Sequence, residues 1–166
     1  IAMPNYTSLA ATNTVIRNTT ANRCFGKAGL AIHGGNSENV QTVAAVDYSI
    51  AGVMYQLAIT AEIDLSALSC ITETGAADTL TAQAKNTDRA YLLVLNAAGT
   101  VKVIQGTAVA TGGTCVVPGC PDGYAPLGVI KVANGNSATF TLGTTGLDAA
   151  GVTDTYYDVS LAPASV

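Results

Sequence analysis

Residues 89–106 have the sequence RAYLLVLNAAGTVKVIQG, two apolar runs on either side of a short turn that contains Gly99. In the first run the residues at odd and at even positions are both apolar, so neither side of a strand there offers a polar set to solvent. The pattern predicts a β-hairpin whose first strand is covered on both faces. Candidate residues for packing against a second layer or against a neighbouring subunit are Tyr91, Leu92, Leu93 and Val94.

Other segments alternate between apolar and polar residues at the period of two that is typical of strands. Turn signals between them predict two more hairpins: residues 40–48 with 53–60, and residues 127–133 with 138–142 through Asn134-Gly135. A last strand is predicted over 153–161, with Tyr156 and Tyr157 on opposite faces. The polar stretch 76–85 predicts either a short helix or a loop.

Many short strands joined by Gly, Pro and Asn turn signals, with no convincing long helix, indicate an all-β protein. We expect a jelly-roll-like sandwich or barrel of short antiparallel strands. The first 37 residues are rich in Thr, Asn, Ala and Gly, and their apolar residues are scattered rather than periodic. We therefore expect an extended N-terminal arm over residues 1–37 and the β-domain over residues 38–166.

The composition is unusually neutral for a chain of 166 residues. Charged residues make up 11% of it, against about 25% in a typical soluble domain, and hydrophobic residues reach 49%. The remaining polarity comes from Thr, Ser, Asn and Gly, which suit β-structure and tight turns. Such a surface is also suited to being covered by other chains.

The longest uncharged run, residues 103–121, does not predict a membrane span. It contains several glycines and the prolines Pro118 and Pro121, which would leave backbone groups without partners in lipid. The first residues also lack the basic and apolar regions of a secretory signal. We therefore expect no membrane association.

Charge is divided unevenly between the arm and the rest of the chain. Residues 1–37 contain Arg17, Arg23 and Lys27 and no acidic residue, whereas the remainder carries all eleven acidic residues. Three basic residues spread over eleven positions are too sparse for a nucleic-acid site, so we expect no nucleic-acid partner. They are interpreted either as ordinary solvated charges or as contacts to an acidic protein neighbour.

The four cysteines give only a weak indication of a disulfide or a metal site. Cys115 and Cys120 flank the Pro118-Gly119 turn, which allows a loop-closing disulfide between them; buried or free thiols are the alternative. A zinc site is disfavoured, because a second close pair of ligands is missing.

Residue constellations for catalysis are also weak. His33 is the only histidine, and its Gly-rich neighbourhood favours a turn or packing role over that of a general base. Glu62 and Asp64 fall on one face of a predicted strand, as two carboxylates of a glycosidase would, but acids at that spacing are common in strands. We expect neither an enzyme nor a cofactor.

Four segments, taken in order, resemble small virion proteins of tailed bacteriophages, of the head-decoration, cement or head-fibre kind. They are VDYSIAGVMYQLA at 46–58, DRAYLLVLNAAGTVKVIQGTAV at 88–109, APLGVIKV at 125–132 and TTGLDAAGVTDTYYDVS at 144–160. The resemblance implies a β-rich domain, commonly a homotrimer, on the outer surface of the virion. Its implied partner is the major capsid protein, whose neighbouring subunits it clamps together.

This resemblance gives the basic residues a hypothetical role, since Arg17, Arg23 and Lys27 would contact an acidic capsid surface. Two other classes of protein share the neutral, Thr-rich composition. One is an extracellular, pilus-like filament subunit, in which an N-terminal arm is donated as a strand to the next subunit. The other is a receptor- or glycan-binding fibre module, which would normally expose aromatic residues, although this chain has no Trp and two Phe.

Overall fold

The computed structural model of the chain describes residues 22–135 and 138–159. Within them the chain forms strands and connecting loops, without a helix, which confirms the predicted all-β class. The strands are β1 (Arg23–Cys24), β2 (Leu30–Ile32), β3 (Val40–Thr42), β4 (Val46–Ile50), β5 (Val53–Leu57), β6 (Thr87–Leu95), β7 (Val101–Gln105), β8 (Val109–Ala110), β9 (Ala125–Asn134) and β10 (Val152–Asp158).

The strands form three antiparallel sheets among the described residues. The largest has the order β10-β9-β6-β7, with β8 pairing against β6; the second has the order β1-β4-β5, and the third contains β2 and β3. The first sheet packs against the other two, which is the arrangement of an all-β sandwich. The jelly-roll order of strands within that class remains a prediction.

The central hairpin forms as the sequence predicts. β6 and β7 pair from Tyr91 opposite Gln105 to Leu95 opposite Val101. Asn96 closes the loop, because its side-chain oxygen accepts hydrogen bonds from the amides of Ala98 and Thr100 at 3.0 and 2.9 Å. Gly99 has a φ of 75°, the left-handed conformation that glycine adopts without steric cost.

β6 is buried on both faces within one chain. Tyr91 and Leu93 point into the core between the largest sheet and the sheet that contains β4. Leu92 and Val94 point the other way, into a second cluster. That second face is covered by irregular segments rather than by a sheet, and the covering residues are Ile71, Cys115, Val117, Cys120 and Tyr124.

The third predicted hairpin is wrong. β9 pairs with β10 over seven residue pairs, from Val152 opposite Asn134 to Asp158 opposite Gly128. Residues 138–142 do not return along β9, and Phe140 instead forms an isolated bridge to Gln83. The physical reason is that both edges of β9 are occupied, one by β6 and the other by β10, while Phe140 is fully buried in the core.

The loop over residues 76–85 is one of the two predicted alternatives, a loop rather than a helix. Gln83 is fully buried, and its side-chain amide donates to the carbonyl oxygens of Thr87 and Val132 at 2.7 and 3.0 Å. Asn134 donates to the carbonyl oxygens of Gln83, Ala84 and Ala138. These bonds hold the loop against the largest sheet.

The predicted first hairpin forms in part. β4 and β5 pair around a two-residue turn, Ala51-Gly52, in which both residues have positive φ angles of 50° and 80°. The predicted strand over 40–48 is interrupted, because the amides of Val43 and Ala44 both bond to the Ala28 carbonyl oxygen. It therefore divides into β3 and β4, which belong to different sheets.

The predicted boundary at residue 37 does not coincide with an edge of the β-structure. β1 pairs with β4, and β2 pairs with β3, so residues from 23 onward take part in the sheets. Residues 1–21 of the predicted arm, including Arg17, lie outside the described residues. The last strand is confirmed at β10, where Tyr156 and Tyr157 face different clusters.

Candidate interaction surface

Two of the three predicted basic contact residues lie close together beside an exposed aromatic ring. Arg23 ends in a guanidinium group 4.7 Å from the centroid of the Phe25 ring, which is a cation–π contact. Phe25 is 48% exposed although its amide bonds to the Asp47 carbonyl oxygen at 2.8 Å. Lys27 follows two residues later and is exposed. We call Arg23, Phe25 and Lys27 the β1 patch.

The turn that carries Lys27 is fixed to the far end of β10. Asp158 accepts hydrogen bonds from the amides of Gly29 and Leu30, at 2.9 and 3.4 Å, through one carboxylate oxygen. Beside this turn lies a small cleft of about 240 Å³. It is lined by Phe25, Gly26, Lys27, Asp158 and Val159. The β1 patch therefore spans the end of β1 and the turn after it, and hydrogen bonds join this segment to β4 and β10.

Sequence reasoning found the basic members of this patch but missed Phe25. The three residues lie within five positions of one another in the sequence, and this closeness is the signal that could have joined them. Such a patch suits an acidic and partly apolar protein surface, because a guanidinium group binds carboxylates in a planar fork and an aromatic ring supplies apolar area.

The predicted packing residues of β6 lie inside the molecule. Tyr91, Leu92, Leu93 and Val94 are all fully buried by other parts of the same chain. Of the two roles expected for them, packing against a second layer is the one observed. A contact between subunits must therefore use other residues.

The predicted disulfide between Cys115 and Cys120 is absent from the structure, where all four cysteines carry free thiols. Cys115 is fully buried in the second cluster, whereas the Cys120 thiol donates to the Tyr124 carbonyl oxygen at 3.4 Å. Burial raises the pKa of the Cys120 thiol to about 12, and burial followed by the charge of Asp158 does the same for Cys24. Both thiols are protonated at neutral pH and are poor nucleophiles.

The weak catalytic candidates take separate structural roles. Glu62 accepts a hydrogen bond from the Asn39 side chain at 2.7 Å, and the same oxygen lies 3.8 Å from Nδ1 of His33. Asp64 accepts from both the amide and the hydroxyl of Ser66, and this lowers the pKa of its carboxyl group. The two carboxylates thus stabilise different turns and share no partner.

A second cleft combines residues that are distant in sequence. It has a volume of about 290 Å³ and apolar, hydroxyl, amide and acidic groups on its walls. Ile71 and Ile104 supply apolar surface, Gln105 an amide, and Glu73 and Asp78 the carboxylates. Its acidic residues lie more than 25 positions from Gln105, so sequence spacing gave no signal for it.

Within residues 22–135 and 138–159, no group of three or more His, Cys, Asp or Glu side chains is arranged to hold a metal ion. In the same part of the chain, no helix has the length and apolar character needed to cross a membrane. Comparison of the chain with protein-family models, with curated proteins and with solved structures finds no match.

Proposed function

We propose that this chain is a structural virion protein that decorates and stabilises a bacteriophage capsid. It binds the outer surface of the lattice formed by the major capsid protein. The observation that carries the proposal is the β1 patch, in which Arg23 and Lys27 flank the exposed ring of Phe25 on a fixed frame. The order of the four segments that resemble phage decoration proteins supports the same assignment.

The neutral surface is the second support. Burying an unpaired charge in a protein contact is costly, whereas hydroxyl and amide groups are readily matched by hydrogen bonds. Only 11% of the residues are charged, so most of the surface can be covered by a neighbour at low electrostatic cost. The few basic residues near β1 then give the contact its orientation.

The mechanism is thermodynamic rather than chemical. A protein that binds the assembled lattice, but not its separated subunits, stabilises the lattice by mass action. At a free concentration one hundred times the dissociation constant, this stabilisation is about 2.7 kcal/mol per site. Many such sites on one shell would oppose its internal pressure.

The test is co-sedimentation of the purified chain with capsids assembled from the cognate major capsid protein. We expect binding to assembled capsids, and a loss of at least about tenfold in affinity for Arg23→Glu and for Lys27→Glu. Lys85→Glu is the matched control, because Lys85 is also exposed but lies outside the β1 patch. The capsid affinity of a chain that lacks residues 1–21 measures the contribution of Arg17 to binding.

Two results would contradict the proposal. The first is a chain that does not sediment with capsids at any concentration, and the second is equal loss of binding for Lys27→Glu and Lys85→Glu. Negative-stain microscopy of the native particle separates the alternatives, because an icosahedral shell, a filament and a soluble trimer differ in outline.

A further inference from the structure

β5 forms an open edge of the β1-β4-β5 sheet. Its closing turn is two residues long, so Ile50 and Val53 form a hydrogen-bonded pair and the pairs then alternate along the ladder. The backbone groups of Met54 and Gln56 consequently point away from β4. Within the described part of the chain, no other strand or loop bonds to them.

The side chains along this edge are unusually apolar for an exposed strand. Val53 and Met54 are 53% and 56% exposed, and Ile59, just beyond the strand, is 62% exposed. β5 contains no charged residue and no proline. Edges of natural sheets are normally protected by charges, prolines, bulges or a covering segment, and residues 22–135 and 138–159 provide none of these along the outer side of β5.

The other long strands at sheet edges are protected. β7 is covered by residues 69–71, whose backbone bonds to both sides of Val103. β10 carries Asp154 and Asp158, which oppose pairing with a second acidic edge. Among the described strands of five or more residues, β5 is therefore the exception.

We propose that the β5 edge pairs with the β5 edge of a second copy of this chain. The open backbone groups require an extended strand as occupant. Pairing β5 with another β5 edge buries no unpaired charge, because both edges are neutral. Pairing β5 with the long edge of β10 would bring Asp154 and Asp158 against the neutral edge. The β5 sequence also pairs with itself in antiparallel orientation, which a two-fold axis demands.

The register of the pairing follows from the open groups. With Tyr55 opposite Tyr55 of the partner subunit, Met54 exchanges hydrogen bonds with Gln56 of the partner subunit, and the two-fold axis repeats this pair, giving about four bonds. Asp47, the nearest acid, bonds to Gln56 of its own chain at 2.9 Å. The two Asp47 residues would be three strand spacings apart across the sheet and two residues apart along the strands, a distance of about 16 Å, which exceeds the screening length of about 8 Å.

An isologous contact closes after two copies, so the free chain is expected to be a dimer rather than the trimer that the phage resemblance implies. β1 forms the opposite edge of the same sheet, so the pairing leaves the β1 patch open. The inference is thus independent of capsid binding, and its test uses the free chain without capsids.

The test is sedimentation velocity over a concentration series, combined with hydrogen exchange of the Met54 and Gln56 amides. We expect a monomer–dimer equilibrium and slower exchange of both amides at high concentration. Met54→Lys places a charge on the edge and should weaken dimerisation at least about tenfold. Thr155→Lys is the matched control on the exposed side of β10 and should leave it unchanged.

A second variant, Gln56→Lys, should also weaken dimerisation. Circular dichroism of each variant should match that of the unsubstituted chain, which shows that the substitution has not disturbed the fold. The proposal is overturned by a chain that stays monomeric, by a trimer, or by equal effects of Met54→Lys and Thr155→Lys. Loss of the dimer on removal of residues 1–21 would also overturn it, because the occupant would then be the N-terminal segment.

Discussion

The hydroxyl group of Tyr91 donates a hydrogen bond to the side-chain oxygen of Gln83, 3.2 Å away in the interior of the sandwich. Both residues are fully buried. Tyr91 belongs to the central strand and Gln83 to an irregular loop, so this pair joins the loop to the core. The Tyr91 ring also packs against Phe140, with the ring centroids 6.5 Å apart.

We expect substitutions in this pair to lower the free energy of unfolding. Tyr91→Phe removes one buried hydrogen bond, at a cost of about 1 to 2 kcal/mol. Gln83→Leu costs about 3 kcal/mol or more, because it also deletes the bonds to Thr87 and Val132 and leaves the Tyr91 hydroxyl without its partner. Urea unfolding measures both. Tyr55→Phe is the control, and an equal loss there would contradict the assignment.

Two glycines with similar backbone angles should respond differently to alanine. Gly143 and Gly112 have φ angles of 75° and 81°, so alanine at either costs about 1 kcal/mol in backbone strain. A Cβ at Gly143 would also overlap the backbone of Leu65 and Ser66, whereas one at Gly112 meets open space. We expect Gly143→Ala to cost about 3 kcal/mol or more in thermal or urea unfolding. Equal losses would show that the 65–66 backbone gives way.

A substitution in the β4–β5 turn should increase the stability of the fold. Ala51 has a φ of 50°, a conformation that costs an alanine about 1 kcal/mol and a glycine very little. Ala51→Gly is therefore expected to raise the free energy of unfolding by up to about 1 kcal/mol. Ala98→Gly, in a loop residue without a positive φ, should lower it slightly through the entropy of the unfolded chain. A destabilised Ala51→Gly would contradict the turn geometry.

Stability should fall in alkaline solution because folding raises the pKa values of two thiols. The pKa values of Cys24 and Cys120 are raised from 9.0 to about 12 in the folded chain. The unfolded chain ionises first, so their contribution is complete below pH 9 and is lost as the pH rises from 9 towards 12. Urea unfolding at pH 8 and pH 10 should show a smaller drop for Cys24→Ala than for the unsubstituted chain. Identical drops would exclude Cys24 as a source.

Ellman's reagent offers a direct check of the same thiols. Without reductant, the denatured chain should release four equivalents, since all four cysteines are free. In the native chain, three of the four thiols should react slowly, because Cys24, Cys70 and Cys115 are buried. Only two equivalents from the denatured chain would restore the disulfide between Cys115 and Cys120.

Local features of the fold were predictable, and distant pairings were not. The central hairpin was found because its two strands are neighbours and its turn carries Asn96 and Gly99 at the positions that the loop requires. The partner of β9 was missed because Asn134-Gly135 is a strong turn signal. Asn134 instead uses its side-chain amide to bind the loop at 83–84, and the strand that pairs with β9 is β10, residues 152–158.

At the candidate surface, too, local features were predictable from the sequence and the spatial arrangement was not. Arg23 and Lys27 could be proposed from charge alone, because the first 37 residues contain no acid. The exposure of Phe25 and of Met54 depends on which strands end each sheet, and periodicity does not contain that information. The alternation of Val53, Tyr55 and Leu57 predicted a strand with one apolar face but could not show that its outer edge is open.

The spatial order β10-β9-β6-β7 has a consequence for synthesis on the ribosome. β6 and β7 are complete at residue 105, yet their neighbour β9 ends at residue 134 and β10 at residue 158. At about 5 to 20 residues per second, the outer edge of β6 then waits roughly one and a half to six seconds for β9, with its backbone hydrogen-bonding groups unpaired. Slow translation or heat during this interval should therefore favour aggregation of the unfinished chain, and chaperones that bind apolar hairpins should raise its soluble yield.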